Sequence, residues 1–220
     1  MEQHIVNSYD NELNRLRNSV VNMAKLVKEL IQIGNIAIVD PSKSLVQLAD
    51  STDLKINHFD HEVERLAIHI IALRQPMAID LRQVIASLKL AVILERMGDL
   101  AKKISHRIEY IPIKLDTIFM SLIHEMIVKL DSLLDNAISA YENLNDDLAT
   151  EVSTQDEIID EYYRNIMDIL GKELENKPKD AKHLLNIVLI VRNLERIGDY
   201  ITKISYITHY IITGDKRIEH

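Results

Sequence analysis

The stretch Glu95-Arg96-Met97-Gly98-Asp99 returns 100 positions later as Glu195-Arg196-Ile197-Gly198-Asp199. The echo continues downstream, where Lys103-Ile104-Ser105 matches Lys203-Ile204-Ser205, and upstream, where aliphatic runs lead into both copies. A chain that repeats itself in register over this distance is built from two copies of one structural unit. The repeated piece also carries a cost. On a helix, Glu and Asp four apart repel by about 0.2–0.5 kcal/mol, and an interior glycine costs roughly 1 kcal/mol relative to alanine. Two carboxylates beside a glycine, kept twice, require a reason.

Only five glycines and four prolines punctuate 220 residues of which 47% are apolar. A strand-rich fold of this size needs many more turn residues, so long helices are expected. Cysteine is absent, which excludes disulfides and thiolate metal ligands. A net charge of −8 argues against a nucleic-acid partner, which selects for a basic face. No apolar run approaches the length of about 18 residues that a membrane span needs, and Met1-Glu2-Gln3-His4 does not open a signal peptide. A cytoplasmic protein is expected.

The punctuation predicts six helices. The first covers Ile5 to Ile36, with Leu13, Leu16, Val20, Met23, Val27 and Leu30 at spacings of three and four. Asp40-Pro41 reads as an N-cap and first-turn proline for the second helix. Its stripe is Leu54, Ile56, Phe59, Val63, Leu66, Ile70 and Leu73. Gln75-Pro76 opens the third, which runs to Tyr110. The fourth covers Leu115 to Leu144, the fifth follows Asn145-Asp146-Asp147 and reaches Glu175, and the sixth follows Pro178 and ends near Gly214. Long helices joined by short loops pack antiparallel. The expected fold class is all-α: two tandem three-helix bundles, 1–111 and 112–220, related by an approximate internal two-fold axis.

Each cassette falls in the third helix of its half, and the second helices carry further acidic residues. Asp156 and Asp160 are four apart in the second half. At the corresponding place in the first half stand Asp53 and Asn57, with Asp60 and Glu64 one and two turns on. If neighbouring faces meet, four oxygen-bearing side chains converge in each half. Such a cluster must be solvated, protonated, paired with cations or bound to metal. One reading is a plain solvated face with Arg96–Asp99 and Arg196–Asp199 salt bridges. The other is a site for a hard, oxygen-loving ion: Mg²⁺, Mn²⁺, Ca²⁺ or iron, with zinc also accommodated. Gly98 and Gly198 would admit either a neighbouring helix or an ion. His58 and His61 lie near the acidic run but have no repeat partner, since Glu161 and Arg164 occupy those places. No Glu-x-x-His occurs, so the ligand pattern of ferritin-like di-iron enzymes is missing.

The segment Leu73-Arg74-Gln75-Pro76-Met77-Ala78-Ile79-Asp80-Leu81-Arg82, followed by Leu94-Glu95-Arg96-Met97-Gly98-Asp99, resembles the PhoU family of phosphate-signalling regulators. Asn193 to Asp199 is similar to that family's second copy, and the likeness extends to His4–Arg17, with Tyr9, Glu12 and Leu13. The resemblance implies polynuclear metal clusters held by Glu/Asp-x-x-x-Asp motifs. These fall on Glu95/Asp99, Glu195/Asp199 and Asp156/Asp160, with Asp53/Asn57 as the fourth. Asparagine offers an oxygen but no charge, so a weaker or smaller first-half cluster is expected. It further implies a negative regulator of the phosphate-starvation response. Such a protein links the ATPase subunit of a phosphate ABC transporter to a sensor histidine kinase, as a homodimer that reaches the membrane only through partners. Two alternatives stand beside it: a metal-free structural bundle, and a carboxylate-bridged metalloenzyme.

Overall fold

The computed structural model describes residues 2–40, 42–111 and 117–215, with side chains for 8–40, 42–111 and 119–215. Every regular element among them is helical: α1 (Glu2–Val39), α2 (Lys43–Arg74), α3 (Ala78–Ile108), α4 (Thr117–Asn143), α5 (Asp146–Ser153), α6 (Asp156–Asn176) and α7 (Ala181–Thr213). A short 3₁₀ turn, Pro178–Asp180, leads into α7.

Helices α1, α2 and α3 pack on one another as the first bundle, and α4 to α7 form the second. The halves join through α3 against α7 and α1 against α4. Leu90, Leu94, Met97 and Ala101 on α3 are buried, as are Ile190, Leu194, Ile197 and Ile201 at the same repeat positions on α7. One apolar core runs through both bundles without interruption. Lys28 on α1 ties the outer seam, reaching Asp131 at 3.1 Å and Asp135 at 2.5 Å on α4. Arg82 on α3 donates from Nε to the Ile211 carbonyl at 2.9 Å, satisfying the end of α7 from the other bundle. Gly214, with φ 83, closes that helix in the left-handed region.

The sequence reading differs from this fold in three places. Helix α2 begins at Lys43 with Ser42 as its cap, because Asp40 still donates its N–H to Ile36 and so continues α1. Pro41 lies outside the described residues. Leu54 and Leu73, assigned to the buried stripe of α2, are 69% and 65% exposed; the buried stripe is Ile56, Val63, Leu66 and Ile70. The expected fifth helix is divided at Thr154 and Gln155. There the Ser153 and Thr154 hydroxyls donate to the carbonyls of Thr150 and Glu151, and the Gln155 N–H turns back to Val152 in a tighter, 3₁₀-like step. A new helix therefore starts at Asp156.

The turn between α2 and α3 holds Gln75 and Ala78 at positive φ, both 49°. Such backbone costs of order 1–3 kcal/mol and persists only where its surroundings enforce it. Polar contacts from α1 supply the restraint. Arg74 donates to both carboxylate oxygens of Glu12, at 2.9 and 2.6 Å, and the Tyr9 hydroxyl donates to Asp80 at 2.9 Å. Burial and the Asp80 bond push Tyr9 up to about 12. Hydrogen bonds from Arg74 pull Glu12 below its ordinary 4.5. A depressed carboxylate stabilises the fold above its unfolded pKa and loses that contribution as pH falls through the folded value. The melting-temperature gap between the native chain and Glu12→Gln is expected to be full at neutral pH and to close below 4.5. An equal gap in acid would contradict the role given to this pair.

Candidate metal centre

Both cassettes take the same posture. Leu94, Met97 and Gly98 are buried, Glu95 and Asp99 are half-buried, and Arg96 is exposed; Leu194, Ile197, Gly198, Glu195, Asp199 and Arg196 repeat this position by position. The helical phase is fixed by the apolar residues, so the two carboxylates of each cassette emerge along one edge of α3 or α7. There they border α2 in the first half and α6 in the second.

The glycines set the separation. A Cβ added at Gly198 would stand 2.9 Å from Cγ2 of Ile159 and 3.4 Å from its Cβ; one at Gly98 would stand 2.9 Å from Cδ1 of Ile56. Each glycine thus receives an isoleucine of the neighbouring helix, which brings the acidic edges together. Ile56 can swing its terminal methyl away, whereas the Ile159 branch methyl sits beside the backbone. Alanine recovers roughly 1 kcal/mol of helix propensity at either site, against about 1–3 kcal/mol for overpacking. Gly98→Ala is expected to be near neutral, and Gly198→Ala to destabilise by about 1 kcal/mol. Thermal melts decide it; the reverse order would contradict this packing.

In the second half, Asp156 and Asp160 face Glu195 and Asp199. Asp156 stands in the first turn of α6, where exposed N–H groups favour a negative charge, and accepts a hydrogen bond from Thr202 Oγ1 at 3.0 Å. Burial first, then neighbouring carboxylates, raise three of the four: Asp199 and Asp160 act on Glu195, Asp156 and Asp160 on Asp199, and Asp156 and Glu157 on Asp160. Mutual repulsion of this kind means that the groups share one region. None of the four makes an ion pair within 4.0 Å among the described residues. Lys203 lies over the Tyr200 ring at 5.5 Å instead.

The first half is arranged differently. Asp53 is buried, 5% exposed, and receives Lys102 Nζ at 2.5 Å; the same ammonium lies 3.4 Å from Asp99. Lys103 reaches Asp99 at 3.2 Å. Burial raises Asp99, but Lys103 and Lys102 outweigh it and bring its pKa below the usual range. Glu95 is raised by burial, then by Asp99, Asp60 and Asp53, so Asp60 belongs to this edge. Asn57 is half-buried on the same helix. Neither Arg96 nor Arg196 forms the expected i,i+3 salt bridge among the described residues. His58 lines a groove between α1 and α2 with Lys25, Leu26 and Phe59, and His61 is exposed beside Asp60.

A hard cation is suited by carboxylate oxygens that lack another counter-charge. The second-half set meets that description, with four carboxylates, mutual repulsion and no ion pair among the described residues. As its side chains lie, no group of three His, Cys, Asp or Glu among the described residues is gathered closely enough to hold one ion. The first-half set does not suit a metal, because an ammonium already bridges two of its carboxylates. Sequence reading missed both Lys102 and Thr202. The signal was three residues beyond each cassette, where the two copies part.

A PhoU-domain family model matches residues 6–108 and 123–208, one segment in each bundle. The chain belongs to the PhoU family. A phosphate-specific transport system accessory protein PhoU homolog of Caulobacter vibrioides is 34% identical, over 98% of this chain and 94% of its own length. The corresponding Zymomonas mobilis protein is 30% identical, over 98% and 91%. The crystal structure of PhoU from Pseudomonas aeruginosa superposes with a TM-score of 0.86 at 27% identity, covering 94% of this chain and all of that one. The phosphate transport system regulatory protein PhoU from Streptococcus pneumoniae gives 0.88 at 26%, covering 96% and 100%. The two-bundle PhoU architecture is therefore shared along almost the whole chain. No helix among the described residues is long and apolar enough to cross a membrane.

Proposed function

We propose that this PhoU protein is an accessory regulator of phosphate transport: a cytoplasmic, non-enzymatic adaptor that represses the phosphate-starvation response. The observation that carries this reading is the near full-length likeness to phosphate-specific transport system accessory proteins, in sequence and in fold. Its partners would be the ATPase subunit of the phosphate transporter and a sensor histidine kinase, with a homodimer as the working state. Long helical faces on two bundles give such an adaptor two related surfaces.

A cation belongs to the same proposal. Asp156, Asp160, Glu195 and Asp199 would hold iron, Mn²⁺, Mg²⁺ or Zn²⁺, singly or as a cluster, and the bound charge would offset their repulsion. Thr202 orients Asp156, and the start of α6 favours its ionised form. Glu95, Asp99, Asp53 and Asn57 mark the corresponding place in the first half.

A deletion strain tests the regulatory part. Phosphate-responsive transcription is expected to stay switched on at high phosphate, and pull-downs are expected to recover the transporter ATPase and the kinase. Normal repression in that strain, with neither partner recovered, would overturn it.

A further inference from the structure

We propose that Lys102 permanently takes the place of a metal ion in the first half, leaving the two repeats chemically unequal. The α2–α3 edge carries its own ammonium counter-charge and admits no cation, and the α6–α7 edge is the one that does. The inference rests on the cation-binding part of the proposed function.

Three differences between the halves point the same way. First, the positions three beyond Asp99 and Asp199 are Lys102 and Thr202. Both side chains reach back to the carboxylate one helix away, Lys102 to Asp53 at 2.5 Å and Thr202 to Asp156 at 3.0 Å. The same geometric slot thus delivers a full positive charge in one half and a neutral hydroxyl in the other. Second, Asp160 is matched by Asn57, so the half that gains a cation also loses an anion. Third, the backbones of the matched aspartates differ. Asp53 lies inside the unbroken α2, away from any helix end, where a buried carboxylate has no backbone N–H to accept from; Asp156 opens α6 after the Thr154–Gln155 turn.

These differences compensate one another. A nearly fully buried carboxylate in a helix interior requires a counter-charge at hand, because burial of an unpaired ion is prohibitive. Lys102 supplies it and also approaches Asp99 at 3.4 Å. Among Asp53, Asn57, Asp60, Glu95, Asp99 and Lys102 the formal charge is −3, from four carboxylates and one ammonium. Among Asp156, Asp160, Glu195, Asp199 and Thr202 it is −4. A divalent ion entering the first site must displace an ammonium at hydrogen-bond distance; at the second, Arg192, Arg196 and Lys203 act only from farther off, and no cation among the described residues stands within ion-pair distance of the four carboxylates.

Equilibrium dialysis with Mn²⁺ tests the inequality. Asp156→Asn/Asp160→Asn/Glu195→Gln/Asp199→Asn is expected to lose nearly all bound Mn²⁺, whereas Asp53→Asn/Glu95→Gln/Asp99→Asn is expected to bind as the native chain does. Thr202→Val, which removes the orienting hydroxyl, is expected to weaken binding by roughly tenfold. Lys102→Thr/Asn57→Asp, which copies the second half into the first, is expected to bind additional Mn²⁺. Loss of about half the Mn²⁺ in the first-half variant, or no gain in Lys102→Thr/Asn57→Asp, would overturn the inequality while leaving cation binding intact. No Mn²⁺ on the native chain would overturn both. A metal-free arm checks Lys102 by itself. In chelator, Lys102→Thr is expected to lower the melting temperature of the native chain but not of Asp53→Asn, and additive effects of the two substitutions would contradict the assigned pair.

Discussion

In metal-loaded protein, chelator is expected to lower the melting temperature, and the effect is expected to vanish when Asp156, Asp160, Glu195 and Asp199 are replaced together. A ligand that binds only the folded state stabilises it by mass action, by about 2.7 kcal/mol at a hundredfold excess over its dissociation constant. The same carboxylates repel when no cation is present, as the raised Glu195, Asp199 and Asp160 indicate. Glu195→Gln in chelator is accordingly expected to be neutral or slightly stabilising. Calorimetry with and without chelator separates the two regimes. A melting temperature indifferent to chelator would mean that these groups are only a solvated face.

The second large effect lies beneath the site. Leu194 on α7 is fully buried, one position before Glu195, at the seam where α3 and α7 carry the core from one bundle into the other. Leu194→Ala removes its packing and leaves a cavity, at a cost of about 2–5 kcal/mol. Because the core is continuous, urea unfolding is expected to remain a single transition shifted to lower denaturant. Two separated transitions would show bundles that unfold independently, contrary to the shared core.

Much of this was legible in the sequence because helical period and duplication are strong signals. Leu16, Val20, Met23, Val27 and Leu30 formed a stripe of three- and four-residue steps, and all five are buried. Scarce glycine and proline marked most helix ends. The break at Thr154 was missed because it contains neither residue; hydroxyl side chains competing for backbone carbonyls create it, and nothing in the apolar period registers that. Leu54 and Leu73 were misplaced because they fall close to the stripe, and periodicity cannot say how far a neighbouring helix extends.

The candidate site was legible in its residue types and not in its balance of charge. Glu95, Asp99, Glu195 and Asp199 follow from the repeat, and Asp53, Asn57, Asp156 and Asp160 from the matching helices. Their surroundings do not. Whether Asp99 pairs with Arg96 or with Lys102 and Lys103 depends on which of these α3 side chains leans toward it, three or four residues away. Sequence spacing permits all three. Arg96 is exposed and makes no ion pair with Asp99 among the described residues, whereas Lys102 reaches both Asp99 and Asp53 on α2.

Anomalous diffraction from crystals grown with Mn²⁺ tests the central claim most directly. Manganese peaks are expected beside Asp156, Asp160, Glu195 and Asp199, with none beside Asp53 and Asp99, where the Lys102 ammonium remains in place. Peaks of equal strength in both bundles, or none in either, would contradict it.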